Sequence, residues 1–170
     1  KIFAITNQKG GVGKTTTTIN LAASLALADQ SVLIVDMDPQ ANLTSGIGKK
    51  GSFRPAGTVY EALTADSEPE IAEFIVPTDV AGLSLLPADR NLTGAEIELV
   101  SLVQRERRLR PLLQQAKTNF DYVLIDTPPS LGLLTLNALV AAEGMIIPLT
   151  CDYFALEGLA ELMTTLRRVQ

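Results

Sequence analysis

Apolar and polar positions alternate between two periods along this chain, and the alternation predicts its layers. Residues 2–6, 32–35, 122–125 and 145–147 are short, nearly continuous apolar runs rich in β-branched side chains. Runs of that kind suit strands buried on both faces of a parallel sheet. Between them, apolar residues recur at helical spacing over 15–28, 95–103, 105–116, 133–142 and 156–169. Strands alternating with helices specify an α/β fold, here a three-layer sandwich with a mostly parallel central sheet flanked by helices.

The intervening segments are less regular. Gly46, Gly48, Gly51, Pro55 and Gly57 interrupt every period between 42 and 57, so this stretch is expected to be a surface loop next to the ligand crevice. A further strand is expected at 83–86, and short helices at 60–63 and 70–74. The last helix carries Leu156, Leu159, Leu162, Met163 and Leu166 and stops at Gln170 without a glycine or other C-cap. The expectation is one domain over 1–170 that lacks its C-terminal part. No internal repeat or low-complexity segment is evident.

Composition narrows the chemistry. With 170 residues, 46% hydrophobic and 19% charged, the chain can bury one substantial core. Histidine is absent and Cys151 is the only cysteine, which removes Ser-His-Asp and Cys-His nucleophile systems, paired-histidine zinc motifs and intrachain disulfides. A reducing, intracellular setting is the natural reading. The most apolar stretch, 131–149, is broken by Asn137, Glu143, Gly144 and Pro148, so it is not expected to span a membrane. The net charge of -5 argues against a surface that is basic throughout, while leaving room for a local basic patch. Arg105, Arg107, Arg108 and Arg110 form the densest such cluster, and Glu106 interrupts it; a solvated helix face is the expected role.

The clearest motif follows the first strand: Lys9, Gly10, Gly11, Val12, Gly13, Lys14, Thr15, Thr16. A strand, a glycine-rich turn and a helix opening at Lys14 place backbone N–H groups and a helix N-terminus around phosphate oxygens. Lys14 is expected to contact β and γ phosphates, Thr15 to ligate Mg2+ and Thr16 to reach the α phosphate of ATP. A dinucleotide fingerprint is excluded by the missing third glycine at position 16 and by the lysine it does not call for. The standard phosphate loop has glycine at position 8, where this chain has Gln8 followed by an additional lysine, Lys9.

Carboxylates end two of the strands. Asp36 and Asp38 follow the second strand in Val35-Asp36-Met37-Asp38-Pro39-Gln40-Ala41-Asn42, and Asp126 closes the strand at 122–125, before Thr127-Pro128-Pro129-Ser130. The C-terminal ends of parallel strands are where such sheets bind ligands. Asp126 is expected to hold Mg2+ through water, as a Walker B carboxylate does. Loop capping is the structural alternative for Asp36 and Asp38.

The loop resembles the deviant Walker family, whose signature is Lys-Gly-Gly-x-Gly-Lys-Thr. Residues 38–42, together with 151–159 (Cys151-Asp152-Tyr153-Phe154-Ala155-Leu156-Glu157-Gly158-Leu159), are similar to ParA and Soj partition ATPases, and the resemblance covers nearly the whole chain. MinD-like membrane-positioning ATPases usually carry a different sequence after the second aspartate; a MinD-like positioning ATPase or a nucleotide-dependent regulatory binding switch is the alternative reading. Nitrogenase-type reductases need cluster cysteines that this chain lacks. The resemblance implies that Lys9 reaches the partner's phosphates across an ATP-sandwiched homodimer and that Asp38 activates the attacking water. Asp36 and Asn42 would support magnesium, its waters or the switch loop. It also implies a ParB-type stimulating partner, non-specific double-stranded DNA, a weak intrinsic ATPase activity and a cytoplasmic, nucleoid-associated location.

Overall fold

The structure, a computed structural model, describes residues 1–150. Six strands form one sheet: β1 (Ile2–Ile5), β2 (Val32–Asp36), β3 (Val76–Pro77), β4 (Leu83–Leu86), β5 (Tyr122–Asp126) and β6 (Gly144–Ile146). Their spatial order is β3-β4-β2-β5-β1-β6. All neighbours are parallel except β3, which runs antiparallel to β4 at one edge. Pro77 is compatible with that place because an edge strand need not donate every ladder hydrogen bond.

Six α-helices accompany the sheet: α1 (Lys14–Leu27), α2 (Asn42–Gly46), α3 (Val59–Thr64), α4 (Leu92–Glu98), α5 (Leu109–Ala116) and α6 (Leu133–Ala141). Single 3₁₀ turns lie at Ile71–Glu73 and Leu99–Ser101. The period-two alternation of each strand divides its side chains between two cores. Val32 and Ile34 face Ala22 and Ala26 of α1, whereas Leu33 and Val35 join the larger core under α3 to α6. The three layers expected from the apolar pattern are therefore present. The apolar runs lack a polar phase because both faces of the sheet are covered.

Several boundaries differ from expectation. The stretch at 42–57 is not all surface loop, since α2 occupies its start and Leu43 is fully buried against β2 and α1. The helix expected over 105–116 begins only at Leu109. Asn137 of α6 explains the late start: its Oδ1 accepts the Leu109 N–H at 3.1 Å and its Nδ2 donates to the Arg105 carbonyl at 2.8 Å. The arginine cluster is likewise not one solvated helix face. Arg108 is half-buried and donates to the Leu63 and Ala65 carbonyls at the end of α3, where helix carbonyls lack intrahelical partners. The expected helix at 156–169 and the 151–159 motif lie outside the described residues. Among those described, no helix is long and apolar enough to cross a membrane.

Candidate active site

The parallel register brings the motifs to one edge of the sheet. Ile5 pairs with Asp126, and Asp126 pairs with Asp36, so the glycine loop, the Asp126 loop and the 37–42 loop all leave at the same level. Gly11 and Gly13 take φ of 74° and 87°. Those left-handed angles turn the chain from β1 into α1, and a β-carbon disfavours them. The Thr17 amide closes the first helical bond to Gly13 at 2.8 Å, which leaves the earlier amides of the helix without intrahelical acceptors.

Lys14 is buried, and its Nζ donates to the Lys9 carbonyl at 3.3 Å, folding the side chain back along the loop. Burial pushes its pKa down, while Asp126 and Asp38 push it up. Lys9 is exposed; Asn7 Oδ1 accepts its backbone N–H at 3.0 Å, and its Nζ lies 3.5 Å from Thr150 Oγ1. Thr16 is exposed at the start of α1.

Asp126 is enclosed and held by hydroxyls: Thr15 Oγ1 donates to Oδ2 at 2.7 Å and Thr18 Oγ1 to Oδ1 at 3.3 Å. Desolvation raises its pKa to about 7; the threonine hydrogen bonds oppose the shift, and Asp36 and Asp38 reinforce it. Asp36 has different partners. Its Oδ2 accepts the Thr44 amide at 2.9 Å and the Thr44 hydroxyl at 2.7 Å, and its Oδ1 accepts the Asp38 amide at 3.2 Å. Desolvation again dominates and raises its pKa to about 6. Asp38 Oδ1 accepts the Gln40 amide at 2.9 Å, which shapes the turn into α2.

Two contributors escaped the sequence reading. Thr18 follows Thr15 by three residues, a spacing that puts both hydroxyls on one face of α1, and that spacing was the available signal. Thr44 joins Asp36 to the Ala88 amide, which donates to Thr44 Oγ1 at 3.1 Å. Nothing local to Thr44 announces this contact.

The residues fit a magnesium nucleotide. Asp126 and Asp38 lie close enough to act on Lys14 of the loop, with Asp36 behind them, so an anionic ligand there needs an accompanying cation. Magnesium favours one or two carboxylates, oxygen donors and substrate phosphates over an all-protein cage. Thr15 and Asp126 supply hard oxygens 2.7 Å apart. Among the described residues, no group of three or more acidic, cysteine or histidine side chains is arranged to hold a metal.

A glycine loop joining a parallel strand to a helix, with a carboxylate-ended strand beside it, defines a phosphate-loop nucleotide-binding domain. A family model described as an AAA domain matches residues 1–170. The chain belongs to the ParA/Soj/MinD superfamily of phosphate-loop partition ATPases. It is 55% identical over 170 residues to the chromosome partitioning protein ParA of Myxococcus xanthus, covering 100% of this chain and 59% of that protein. It is 52% identical over 171 residues to the sporulation initiation inhibitor protein Soj of Bacillus subtilis, covering 100% and 66%. A cobyrinic acid a,c-diamide synthase from Mycobacterium smegmatis, solved with a bound ATP analog and magnesium, superposes with a TM-score of 0.91 at 43% identity, covering 100% of this chain and 68% of that one. These names describe different tasks, so the shared nucleotide domain is what the similarity carries.

Proposed function

We propose that this chain binds Mg-ATP and hydrolyses it as the nucleotide switch of a partition system. The observation that carries this reading is Lys14, buried along the glycine loop, beside a Thr15 hydroxyl already 2.7 Å from Asp126. Lys14 serves the β and γ phosphates of its own chain, and the loop from Lys9 through Gly10, Gly11, Val12 and Gly13 to Thr15 and Thr16 surrounds them. Thr15 and Asp126 hold magnesium, which offsets negative charge on the transferring phosphoryl group. Asp36 acts behind them, because its oxygens already hold Thr44 and the Asp38 amide.

Asp38 orients and activates the attacking water. Its anchored turn keeps one oxygen on Gln40 and places the carboxylate near Lys14 and Asp126. Lys9, on the exposed side of the loop, acts across an ATP-dependent homodimer on the partner's phosphates. The name of the Myxococcus xanthus relative supports a role in chromosome partition, and the reading extends by family resemblance to plasmid partition, a ParB-type stimulator and non-specific double-stranded DNA as partners, and a cytoplasmic, nucleoid-associated location.

Titration with a fluorescent ATP analogue, with and without magnesium, tests the core of this reading. Lys14→Ala is expected to weaken binding about 100-fold, as loss of a charged contact to phosphate implies. Undiminished binding by Lys14→Ala, or no magnesium-dependent binding by the wild type, overturns the assignment.

A further inference from the structure

We infer that Gln8 is a nucleotide-sensing residue, its side-chain amide donating to the terminal phosphate of ATP and so favouring ATP over ADP. The inference rests on the ATP-site reading above. Gln8 stands where the standard phosphate loop has glycine, yet the backbone there does not call for one. Among the described residues, non-glycine positive φ is confined to Asp29, Ala41 and Gln104, and the loop's left-handed angles fall later, at Gly11 and Gly13. The side chain is therefore an addition to the loop's chemistry.

That side chain carries an unusual atom. Gln8 Nε2 is sealed from solvent without a hydrogen-bond partner, alone among the described buried side-chain nitrogens and oxygens. A buried donor of this kind is unfavourable and calls for an explanation, of which an acceptor arriving with a ligand is one. The flanking residue is fixed. Asn7 Nδ2 donates to the Pro148 carbonyl at 2.8 Å, and Asn7 Oδ1 accepts the Lys9 amide at 3.0 Å, so the backbone on both sides of Gln8 is held.

The position selects which phosphate. Lys14 Nζ, the group suited to β and γ phosphates, rests 3.3 Å from the carbonyl of Lys9, the next residue after Gln8. The Gln8–Lys9 end of the loop thus lies towards the terminal phosphate, while the amides at the start of α1 lie towards the β phosphate. A terminal phosphate presents only acceptor oxygens. A neutral amide can serve it without adding charge to a site where Lys14 already faces Asp126 and Asp38.

The experiment compares wild type with Gln8→Met, which keeps the length and loses the donor, and with Gln8→Gly, which restores the standard residue. Affinities for Mg-ADP and for a non-hydrolysable Mg-ATP analogue are measured by calorimetry, with the melting temperature of nucleotide-free protein alongside. Both variants are expected to lose about 10- to 100-fold in affinity for the ATP analogue, the range for a hydrogen bond to a charged acceptor, and to keep ADP affinity within about twofold. Gln8→Met is expected to melt no lower than wild type, because the donor is unpaired without nucleotide. Equal losses for both nucleotides, no loss for either, or a lower melting temperature of Gln8→Met overturns the inference and leaves ATP binding intact. Failure of wild type to bind the ATP analogue overturns the ATP-site reading itself.

Discussion

Asp36 and Asp126 are the same residue in register at the ends of adjacent parallel strands, both with no exposed surface, but their neighbours are of different kinds. Asp36 is gripped by two backbone amides and one hydroxyl, from Asp38 and Thr44. An amide N–H has a direction fixed by the fold. Among the described residues, Asp126 is met only by the hydroxyls of Thr15 and Thr18, and each can rotate towards another acceptor; Thr18 Oγ1 is already 3.0 Å from the Lys14 carbonyl. A carboxylate bound by backbone amides maintains structure, whereas one bound by hydroxyls can exchange partners for a cation. Burial raises the pKa of both carboxylates, with desolvation the leading cause in each and the hydrogen bonds of each opposing the shift.

The largest expected effect is on chemistry. Asp126→Asn should lower magnesium-dependent ATP turnover roughly 100-fold or more, while leaving nucleotide-free stability equal or higher, since it removes a charge whose burial is unfavourable. A single-turnover assay paired with chemical denaturation checks both halves. Asp36→Ala should invert the pattern: loss of its hydrogen bonds strands the buried Thr44 donors, at about 3 kcal/mol of stability. If Asp36→Ala instead leaves stability intact and abolishes magnesium binding, the contrast between the two residues is wrong.

pH sharpens the comparison. Both folded-state pKa values lie above the usual carboxylate value, so Asp36 and Asp126 together hold more protons in the nucleotide-free folded protein than in the unfolded chain between about pH 4 and 7. Their contribution to stability should decline as pH rises through that window, and Asp126→Asn should flatten the upper part of the slope. Denaturant titrations at several pH values, without magnesium, measure this. The smallest effect belongs to Thr44→Val, which keeps the volume but removes the hydroxyl between Asp36 and the Ala88 amide. About 1 kcal/mol is expected, and turnover should remain near that of the wild type.

The central strands and the phosphate loop were legible because their signals are local. Val32 to Val35 are apolar without interruption, and Gly11 and Gly13 are needed for a conformation that other residues avoid. The early turn of α2 was not legible, because its five residues have neither amphipathic length nor a side-chain cap. What holds it is Thr44 against Asp36, a contact made across the end of the sheet. The late start of α5 has the same origin in Asn137, 28 residues beyond Leu109. Sequence alone does not separate magnesium support from loop capping at Asp36 for a similar reason: it places the carboxylate at a strand end, and the donors that reach it come from Thr44 and Asp38 in the folded chain.

The insertion of β5 between β1 and β2 has a consequence for synthesis on the ribosome. β1, the glycine loop, α1 and β2 emerge before β5, yet β1 and β2 share no edge, and the strand that joins them is about 90 residues further along. At translation rates of about 5–20 residues per second, the apolar edges of both strands wait several seconds for Tyr122–Asp126. During that interval the glycine loop has neither its supporting strand nor the carboxylate opposite Thr15. The nascent chain therefore acquires its nucleotide site late and as a unit, when β5 closes the middle of the sheet. Until then its first strands depend on remaining apart from one another and from neighbouring chains.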